Sequence, residues 1–479
     1  MRRQRTKLGA AIALSVSLAL VGCRGSDDDD ADSGDVTTEE GTDAPAATDA
    51  PDGTDAPEGT DAPEDTDATE GTDGTGTTAA GGGGPTAPEV DCPAEEQGLT
   101  DTEMVLGGTY PLSGPVAAYA AVPVGIKAWF DHLNAEGGIT SGDGVTRQIT
   151  WNYLDDQYSP PATLENVRRL VESDGSWLIM NPLGTPSNTA IRDYMNENEV
   201  PQLYVATGAA TWGRDIEDYP WTIGYQPDYE SEGIAYAQYA LEENPEATVA
   251  ILYANDDFGK DYLAGIREGM GDAADQIVAE VTYETTDATV DAQVAQALES
   301  DPDVFMLIAT PQFAIQGINQ TQALGYEGTK IVTSVSSSVG AVIANTNDGA
   351  AEGWVTSVYL KDPTDPAYDD DPGMVEYQEI LAEYAPDANP DDALHLYGMS
   401  VAQLFQHTLE SMPTVCRAAI MEAAKNLDWP EPPLLLPGIG IETSEGDGFP
   451  IQQVQLQRWE GDGYVKFGDI IDASDINAD

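Results

Sequence analysis

Small and hydroxyl-bearing residues fill three short loops, each directly after an apolar, strand-like run: Thr109–Pro115, Asn181–Ser187 and Ala206–Ala210. Backbone N–H groups stay accessible beside such side chains, and a helix that begins in the loop adds positive potential. The composition therefore suits binding of an anion. Ordinary turns and helix N-caps favour the same residue types, so a single loop of this kind does not indicate a binding site. The three loops together do.

Residues typical of catalysis are sparse. The histidines are His132, His395 and His407, none of them in a metal-binding spacing, and the sequence contains no G-x-S-x-G nucleophile elbow and no P-loop. The adjacent acids Asp155 and Asp156 do not define a glycosidase pair, because that depends on their geometry. We therefore expect no enzyme activity, no metal site and no cofactor.

The N-terminus has the layout of an export signal. Four cationic residues in Arg2–Lys7 precede the uncharged run Leu8–Gly22, which is shorter than the roughly 20 apolar residues that span a bilayer. The run ends Leu-Val-Gly-Cys23, which is similar to the lipobox of bacterial lipoproteins. We predict a signal peptide over 1–22 and a lipid anchor at Cys23 on the outer face of the cell membrane; the alternative is an ordinary signal peptide with a chance cysteine.

The following segment, 23–91, is predicted to be a disordered acidic tether. From Arg24 to Val90 it consists mainly of Asp, Thr, Gly, Pro, Glu and Ala, with a degenerate Gly-Thr-Asp-Ala-Pro repeat and no aromatic residue. Such a chain buries too little apolar surface to offset its conformational entropy. A flexible segment of this length spans on the order of 45 Å.

Acidity is not confined to the tether. The chain carries a net charge of −66; of its 85 acidic residues 21 lie in Arg24–Asp91, and 5 of its 19 basic residues precede position 25, which leaves a net charge of about −50 on the rest. Nucleic-acid binding needs Lys and Arg on phosphates, so no nucleic-acid partner is expected. We interpret the charge as a salt-adapted surface rather than as the mark of a specific partner.

Alternating strands and helices predict a parallel α/β architecture. Strands are predicted over 104–109, 148–153, 177–180, 202–205, 248–253, 304–308 and 330–333, and helices over 122–135, 159–172, 186–198, 229–243, 259–274, 289–299 and 312–324. The length after the tether suits two domains. Because ligands collect beyond the carboxyl ends of parallel strands, the three loops lie where a site is expected.

Five segments resemble the branched-chain amino-acid (Leu/Ile/Val) binding protein family over about residues 99–425. They are Ser113–Tyr119 (SGPVAAY), Leu133–Ile139 (LNAEGGI), Tyr153–Asp156 (YLDD), Ala254–Gly259 (ANDDFG) and Ala351–Trp354 (AEGW). The resemblance implies the type I periplasmic-binding-protein fold, which is α/β with two Rossmann-like lobes, parallel-sheet cores and three hinge crossovers.

The resemblance also implies a division of the chain between the lobes. It places lobe 1 at 92–226, lobe 2 at 227–354, a return to lobe 1 at 355–430 and a C-terminal lobe 2 segment at 431–479, with crossovers near Gln226, Val355 and Glu431. Cys92 and Cys416 would both belong to lobe 1. A disulfide between them is compatible with this arrangement, but two cysteines alone do not establish it.

Family ligands lie in the cleft between the lobes, with the ligand carboxylate held by loops after the third and fourth strands. The corresponding positions are Gly184, Thr185, Ala206, Thr207 and Gly208. Tyr119 and Phe258 match aromatic residues that line the cleft, and Ser336 is expected to hydrogen-bond the ligand from lobe 2. Mere packing of the two aromatic residues is the alternative.

One departure concerns the ligand's ammonium group. Amino-acid binders of the family place an acid after the strand that ends here near Thr333, but Thr333–Ser338 contains no carboxylate. A buried ammonium without a counter-charge would cost several kcal/mol. Either Asp228 or Asp257 supplies the charge, or the ligand has no ammonium.

These expectations describe an extracytoplasmic solute-binding lipoprotein of an ABC importer. It would be a monomer that captures a small polar ligand, such as an amino acid or amide, by hinge closure and delivers it to a membrane permease. The alternative is a sensor component of the same fold that presents its ligand to a membrane signalling partner.

Overall fold

The computed structural model describes residues 90–444 and 446–473. The predicted signal peptide, Cys23 and nearly all of the predicted tether lie outside the described residues. The first sheet comprises β1 (Glu103–Tyr110), β2 (Ile139–Thr140), β3 (Thr146–Asp155), β4 (Leu178–Met180), β5 (Gln202–Val205) and β6 (Thr222–Gly224). Its spatial order is β2-β3-β1-β4-β5-β6, and every neighbouring pair is parallel except β2–β3.

A second sheet forms from the next part of the chain and from its C-terminal end. In chain order the strands are β7 (Val249–Ala254), β8 (Ile277–Tyr283), β9 (Val304–Ile308), β10 (Thr329–Val332), β11 (Trp354–Val358), β12 (Asp428–Trp429), β13 (Ile441–Glu442), β14 (Gln453–Glu460) and β15 (Gly463–Asp472). The second sheet has the order β15-β14-β11-β10-β9-β7-β8, and β12 pairs separately with β13. From β8 to β11 the strands are parallel, whereas the β14–β15 hairpin is antiparallel.

Helices cover the sheets. They are α1 (Ala121–Ala135), α2 (Pro160–Glu172), α3 (Thr185–Glu197), α4 (Thr211–Arg214), α5 (Tyr229–Glu243), α6 (Asp257–Met270), α7 (Asp291–Ala297), α8 (Pro311–Ala323), α9 (Pro372–Tyr384), α10 (Ala393–Ser411) and α11 (Arg417–Ala424). Asp228, Asp256, Asp371 and Asp392 cap α5, α6, α9 and α10 by accepting hydrogen bonds from backbone N–H groups of the first turn. None of the described helices is long and apolar enough to cross a membrane.

Each sheet has its own hydrophobic core. The first core joins the first sheet to α1, α9, α10 and α11, and the second joins the second sheet to α5, α6 and α8. The chain passes between them after β6 and again after β11, because Trp354 and Val355 belong to the second core whereas Tyr359 and Leu360 belong to the first. The α/β class with parallel sheets is confirmed. Val358 already packs against the first core, and Leu434, Leu435 and Leu436 belong to it as well. The lobe boundaries at 355 and 431 stay predictions.

The motifs behind the family resemblance fix backbone geometry. The Asn134 side chain donates to the Ile149 carbonyl and accepts from its N–H, both at 2.8 Å. Asp155 accepts from the Leu112 N–H at 2.9 Å and from the Ser113 hydroxyl at 2.5 Å. Burial alone would raise the pKa of Asp155, but these hydrogen bonds outweigh it and hold the pKa below its ordinary value. Asp155 thereby orders the loop that leads to Tyr119.

Cys92 and Cys416 form a disulfide that closes a loop of 324 residues in sequence separation. Beside it, the Glu96 carboxylate accepts from the Arg417 N–H at 2.9 Å and from the Trp177 indole at 2.8 Å. The first described residues are therefore held against the first core by one disulfide and by two hydrogen bonds to Glu96. The sequence left this pairing open, and the structure makes it.

We expect the double substitution Cys92→Ser/Cys416→Ser to lower the free energy of unfolding by about 3–5 kcal/mol, because the unfolded chain would regain the entropy that this long loop closure removes. The measurement is chemical denaturation of wild type and variant with and without dithiothreitol. Dithiothreitol should destabilise the wild type alone. Equal stability of oxidised wild type and variant would contradict the prediction.

Candidate ligand-binding cleft

A cavity opens where loops after the strands of both sheets meet the crossover segments. Its empty volume is about 820 Å³, counting space that opens to solvent. Leu183, Gly184 and Ala206 follow strands of the first sheet, while Thr310 and Val335 follow strands of the second. The cavity thus lies beyond the carboxyl ends of parallel strands, as the sequence predicted.

The first sheet contributes the N-terminus of α3. Gly184 is its N-cap, with φ at +100°, and a Cβ built there would lie 2.5 Å from the Tyr158 ring, so only glycine fits. Thr185 begins the helix, lines the cavity and shares a hydrogen bond with the Thr207 hydroxyl. Asn188 fastens the preceding loop by donating to the Pro182 and Gly184 carbonyls at 2.7 and 2.9 Å. The arrangement can receive a hydrogen-bond acceptor.

Aromatic side chains form much of the remaining wall: Tyr119, Tyr158, Tyr229, Phe258 and Tyr397. Tyr229 meets Phe258 edge to face, with ring centroids 5.2 Å apart. Burial raises the pKa of all four tyrosines well above their ordinary value, so each phenol stays neutral at physiological pH. The wall therefore offers rings and neutral hydroxyls.

The first crossover is tied into the cleft by a chain of hydrogen bonds. Tyr397 donates its hydroxyl to the Gln226 amide oxygen at 3.0 Å, and the Gln226 amide donates to the Tyr229 hydroxyl at 3.3 Å. Tyr119 reaches the Val335 carbonyl at 3.5 Å, which links the first loop to a loop of the second sheet. These contacts join the two halves of the molecule around the cavity.

A buried carboxylate lies behind the wall. Glu232 is 2% exposed and accepts from the hydroxyls of Tyr236 and Tyr262 at 2.6 and 2.7 Å. It also accepts from Ser334, through the backbone N–H at 3.0 Å and the hydroxyl at 2.8 Å. Three of these bonds fall on Oε1 and one on Oε2, so both carboxylate oxygens are engaged with donors of the protein. Glu232 therefore positions Ser334, which lines the cavity, and does not reach the cavity itself.

Five of the predicted site residues lie on the wall: Tyr119, Gly184, Thr185, Ala206 and Phe258. Their function in binding stays a prediction.

Four other predicted residues lie next to the wall without lining it. Thr207 bonds Thr185, the Gly208 carbonyl accepts from the Tyr229 N–H, Asp228 caps α5, and the Ser336 hydroxyl donates to the Ala309 carbonyl.

Asp257, the other predicted counter-charge, lies outside the cavity wall. Its side chain is 55% exposed, and its carboxylate is 3.7 Å from the Lys260 ammonium. Asp228, for its part, is used at the N-terminus of α5, where it accepts from the Ser231 N–H at 2.8 Å. Among the residues that the structure describes, no charged side chain lines the cavity.

Sequence reasoning missed several wall residues, notably Tyr158, Gln226, Tyr229, Tyr359 and Tyr397. Tyr158 directly follows the Asp155-Asp156 pair, and its N–H donates to the Asp156 carboxylate at 2.9 Å. Gln226 and Tyr359 lie on the crossovers, so a search of the predicted crossover segments would have found them.

The histidines lie away from the cavity wall. His395 is buried, with Nδ1 2.8 Å from the Ala121 carbonyl, and His407 stacks on Trp429 with ring centroids 4.5 Å apart. Burial lowers the pKa of His407. Within the described ranges no cluster of His, Cys, Asp and Glu could hold a metal ion.

A family model described as periplasmic binding protein matches residues 103–464, which is more than half of the chain. The chain belongs to the periplasmic binding protein family. This confirms the resemblance seen in the sequence, and members of this family bind solutes rather than catalyse reactions.

A curated relative is the Leu/Ile/Val-binding protein BraC3 of Rhizobium johnstonii, 27% identical over 164 residues that cover 34% of this chain and 42% of that protein. A branched chain amino acid ABC transporter structure from Thermus thermophilus with bound valine has a TM-score of 0.68 at 15% identity, covering 79% of this chain and 99% of that one. A fatty acid ABC transporter substrate-binding protein from Thermomonospora curvata has a TM-score of 0.63 at 18% identity. The match covers 79% of this chain and 94% of that one. The type I periplasmic-binding-protein fold is thereby confirmed.

Asp261 connects α6 to the loop after β5. Its carboxylate accepts from the Ala210 N–H, and burial first, then the neighbouring Glu230 carboxylate, raise its pKa from 3.8 to about 7. Asp228 and Asp257 add to the negative field, while Arg214 pairs with Glu230 at 2.6 Å. This junction between the two halves therefore binds a proton near neutral pH.

We expect Thr207→Val to weaken binding of the cleft ligand about tenfold, since it removes the hydroxyl that orients Thr185 and costs roughly one hydrogen bond. Isothermal titration calorimetry with a ligand identified from the purified protein measures the change. Thr282→Val, at an exposed position on β8, is the control and should bind normally. Unchanged affinity in Thr207→Val with an unchanged melting temperature would remove Thr207 from the site.

A second prediction concerns pH. Because the folded-state pKa of Asp261 lies above the unfolded value, the folded protein holds an extra proton between about pH 4 and pH 7, and its stability falls as pH rises through that window. Asp261→Asn mimics the protonated group, so the variant should melt higher than wild type at pH 8 and equally at pH 5. Asp462→Asn, at an exposed turn position between β14 and β15, serves as the control. Equal melting temperatures of Asp261→Asn and wild type at every pH would contradict the assignment.

Proposed function

We propose that this protein is the extracytoplasmic solute-binding lipoprotein of an ABC importer. It captures a small ligand in the cleft between its two halves and delivers it to a membrane permease. The single observation that supports this most is the cavity itself: it is lined from both sheets and from the crossover residue Gln226, so a ligand bound there holds the halves together. Hinge closure around a ligand is the motion this geometry suits.

The relatives favour import. Of the solved structures with the same fold, one is described as a branched chain amino acid ABC transporter with bound valine and another as a fatty acid ABC transporter substrate-binding protein. We propose the corresponding role for this chain, acting as a monomer with a permease as its partner. Lipid attachment at Cys23 would keep it at the outer face of the membrane, and the acidic segment 23–91 would let it reach away from that surface.

Sensing is the second candidate, since a closed, liganded form can be presented to a membrane signalling partner as readily as to a permease. The hydrogen bonds that join Gln226 to Tyr229 and Tyr397 would serve either role. Import is favoured by the relatives' descriptions.

The experiment compares cells that produce wild type, cells that produce Cys23→Ala and cells from which the gene is deleted. We expect deletion to abolish high-affinity uptake of the radiolabelled ligand, and Cys23→Ala to appear in the medium without metabolic palmitate labelling, with uptake reduced at least tenfold by the lower local concentration. Thr282→Val is the matched control. Normal uptake after deletion, with a lost transcriptional response to the ligand, would decide for sensing.

A further inference from the structure

We infer that the cleft takes a mainly apolar ligand that carries no ammonium group and has a single hydrogen-bond-accepting head, either a carboxylate or a neutral amide. This inference rests on the proposed function and names its ligand class. It sets the chain apart from binders of zwitterionic amino acids.

The first argument is the missing counter-charge. Among the described residues the cavity wall contains no Asp, Glu, Lys, Arg or His. Glu232, a buried acid behind the wall, already accepts four hydrogen bonds from Tyr236, Tyr262 and Ser334. Drawing it toward an ammonium would break a network that holds α5, α6 and the loop after β10 together. An ammonium enclosed here would thus lose its hydration without gaining a partner, which costs several kcal/mol by typical desolvation penalties.

Hydroxyls on the wall do not replace that charge, because most are already used within the protein. Ser334 donates to Glu232 at 2.8 Å, Ser338 to Asp392 at 2.9 Å and Tyr397 to Gln226 at 3.0 Å. The surface that remains exposed to the cavity is mostly apolar, with Val122, Leu183, Val335, Val358, Leu360 and Leu394 contributing to it. The ligand therefore needs few hydrogen bonds and a large apolar body.

Two features leave room for one accepting head. The N-terminus of α3 presents Gly184 and Thr185 to the cavity, where the helix potential favours a negative or electron-rich atom. Thr310 also lines the cavity at 2% exposure, and its Oγ1, although near the Tyr283 hydroxyl, makes no hydrogen bond of normal geometry. A buried donor without a partner is costly, so a ligand acceptor would satisfy it.

The test uses matched ligands that differ only in the amino group. The pairs are 4-methylpentanoate with leucine, 3-phenylpropanoate with phenylalanine and octanoate with 2-aminooctanoate, together with the primary amide of each acid. The protein is first unfolded and refolded to remove any bound ligand. Binding to the refolded protein is then measured by calorimetry and thermal shift. In every pair that binds, we expect the compound without the amino group to bind at least tenfold more tightly. Burying one unpaired charge costs enough free energy to change the affinity by more than this factor. Comparison of acid with amide tells a charged head from a neutral one.

A wall variant tests the apolar body. Val358→Thr keeps the shape of a cavity residue but adds a hydroxyl, and should weaken binding of the preferred acid or amide roughly 3- to 10-fold. Val465→Thr makes the same change at a 47% exposed strand position and should bind like wild type. Equal affinity in Val358→Thr and Val465→Thr would overturn the apolar contact.

The outcomes separate this inference from the proposed function. Tighter binding of an α-amino acid than of its matched acid and amide, or extraction of an ammonium-bearing or sugar-like ligand from the native protein, overturns the inference and leaves solute binding intact. Failure of every compound to bind, with no ligand extracted from the native protein, would overturn the proposed function and the inference with it.

Discussion

A charge buried without a partner is costly, and this constraint governs the cleft that the proposed function closes around a ligand. Each ionisable group near the cavity is either paired or kept off its wall. Glu232 accepts hydrogen bonds from Tyr236, Tyr262 and Ser334 at both of its carboxylate oxygens, and Asp228 is used at the start of α5. The wall that remains consists of neutral phenols, hydroxyls and aliphatic side chains. The cleft then selects mainly by excluding charged groups that it cannot pair. The free-energy cost of one unpaired buried charge is larger than the gain from one well-packed methyl group.

The same groups also connect the two halves. Tyr397, Gln226 and Tyr229 form a continuous set of hydrogen bonds along the first crossover, and all three line the cavity. A ligand that packs against these residues therefore contacts the segment that must bend when the lobes open. Under the proposed function, binding and closure would be coupled, because the contacts made by the ligand would be complete only when both halves approach.

Buried central strands could be predicted from the sequence, because their apolar runs report burial directly. The strands that were missed lack such a run. Edge strand β8 (Ile277–Tyr283) alternates buried and exposed residues, and β11 carries Thr356 and Ser357 in its interior, both fully buried, with the Ser357 N–H donating to Tyr236. Their place in the sheet depends on partners distant in sequence.

The site residues, like the strands, divide into those that could be predicted from the sequence and those that could not. Gly184, Thr185 and Ala206 could be predicted because each follows a strand whose carboxyl end faces the cleft, which is a local property. Tyr158, Tyr229 and Tyr397 could not, because they come from three separate parts of the chain and converge only when the lobes are assembled. The Cys92–Cys416 pairing was left open for that reason as well: spacing in sequence does not report distance in space.

The acidity of the folded part, about −50, at first opposes capture of a carboxylate. Charges on the surface act at long range, however, and the Debye length shrinks from about 10 Å at 0.1 M salt to about 3 Å at 1 M. The field inside the cleft is set instead by nearby groups: the N-terminus of α3, the neutral hydroxyls around it and the Asp256 carboxylate, whose charge acts on Tyr119 and Tyr158. A salt-adapted surface and a cleft for an accepting head are therefore compatible, provided that the protein works where ions screen its exterior. In dilute solution the surface would slow the approach of an anion, whereas a neutral amide would be indifferent to it.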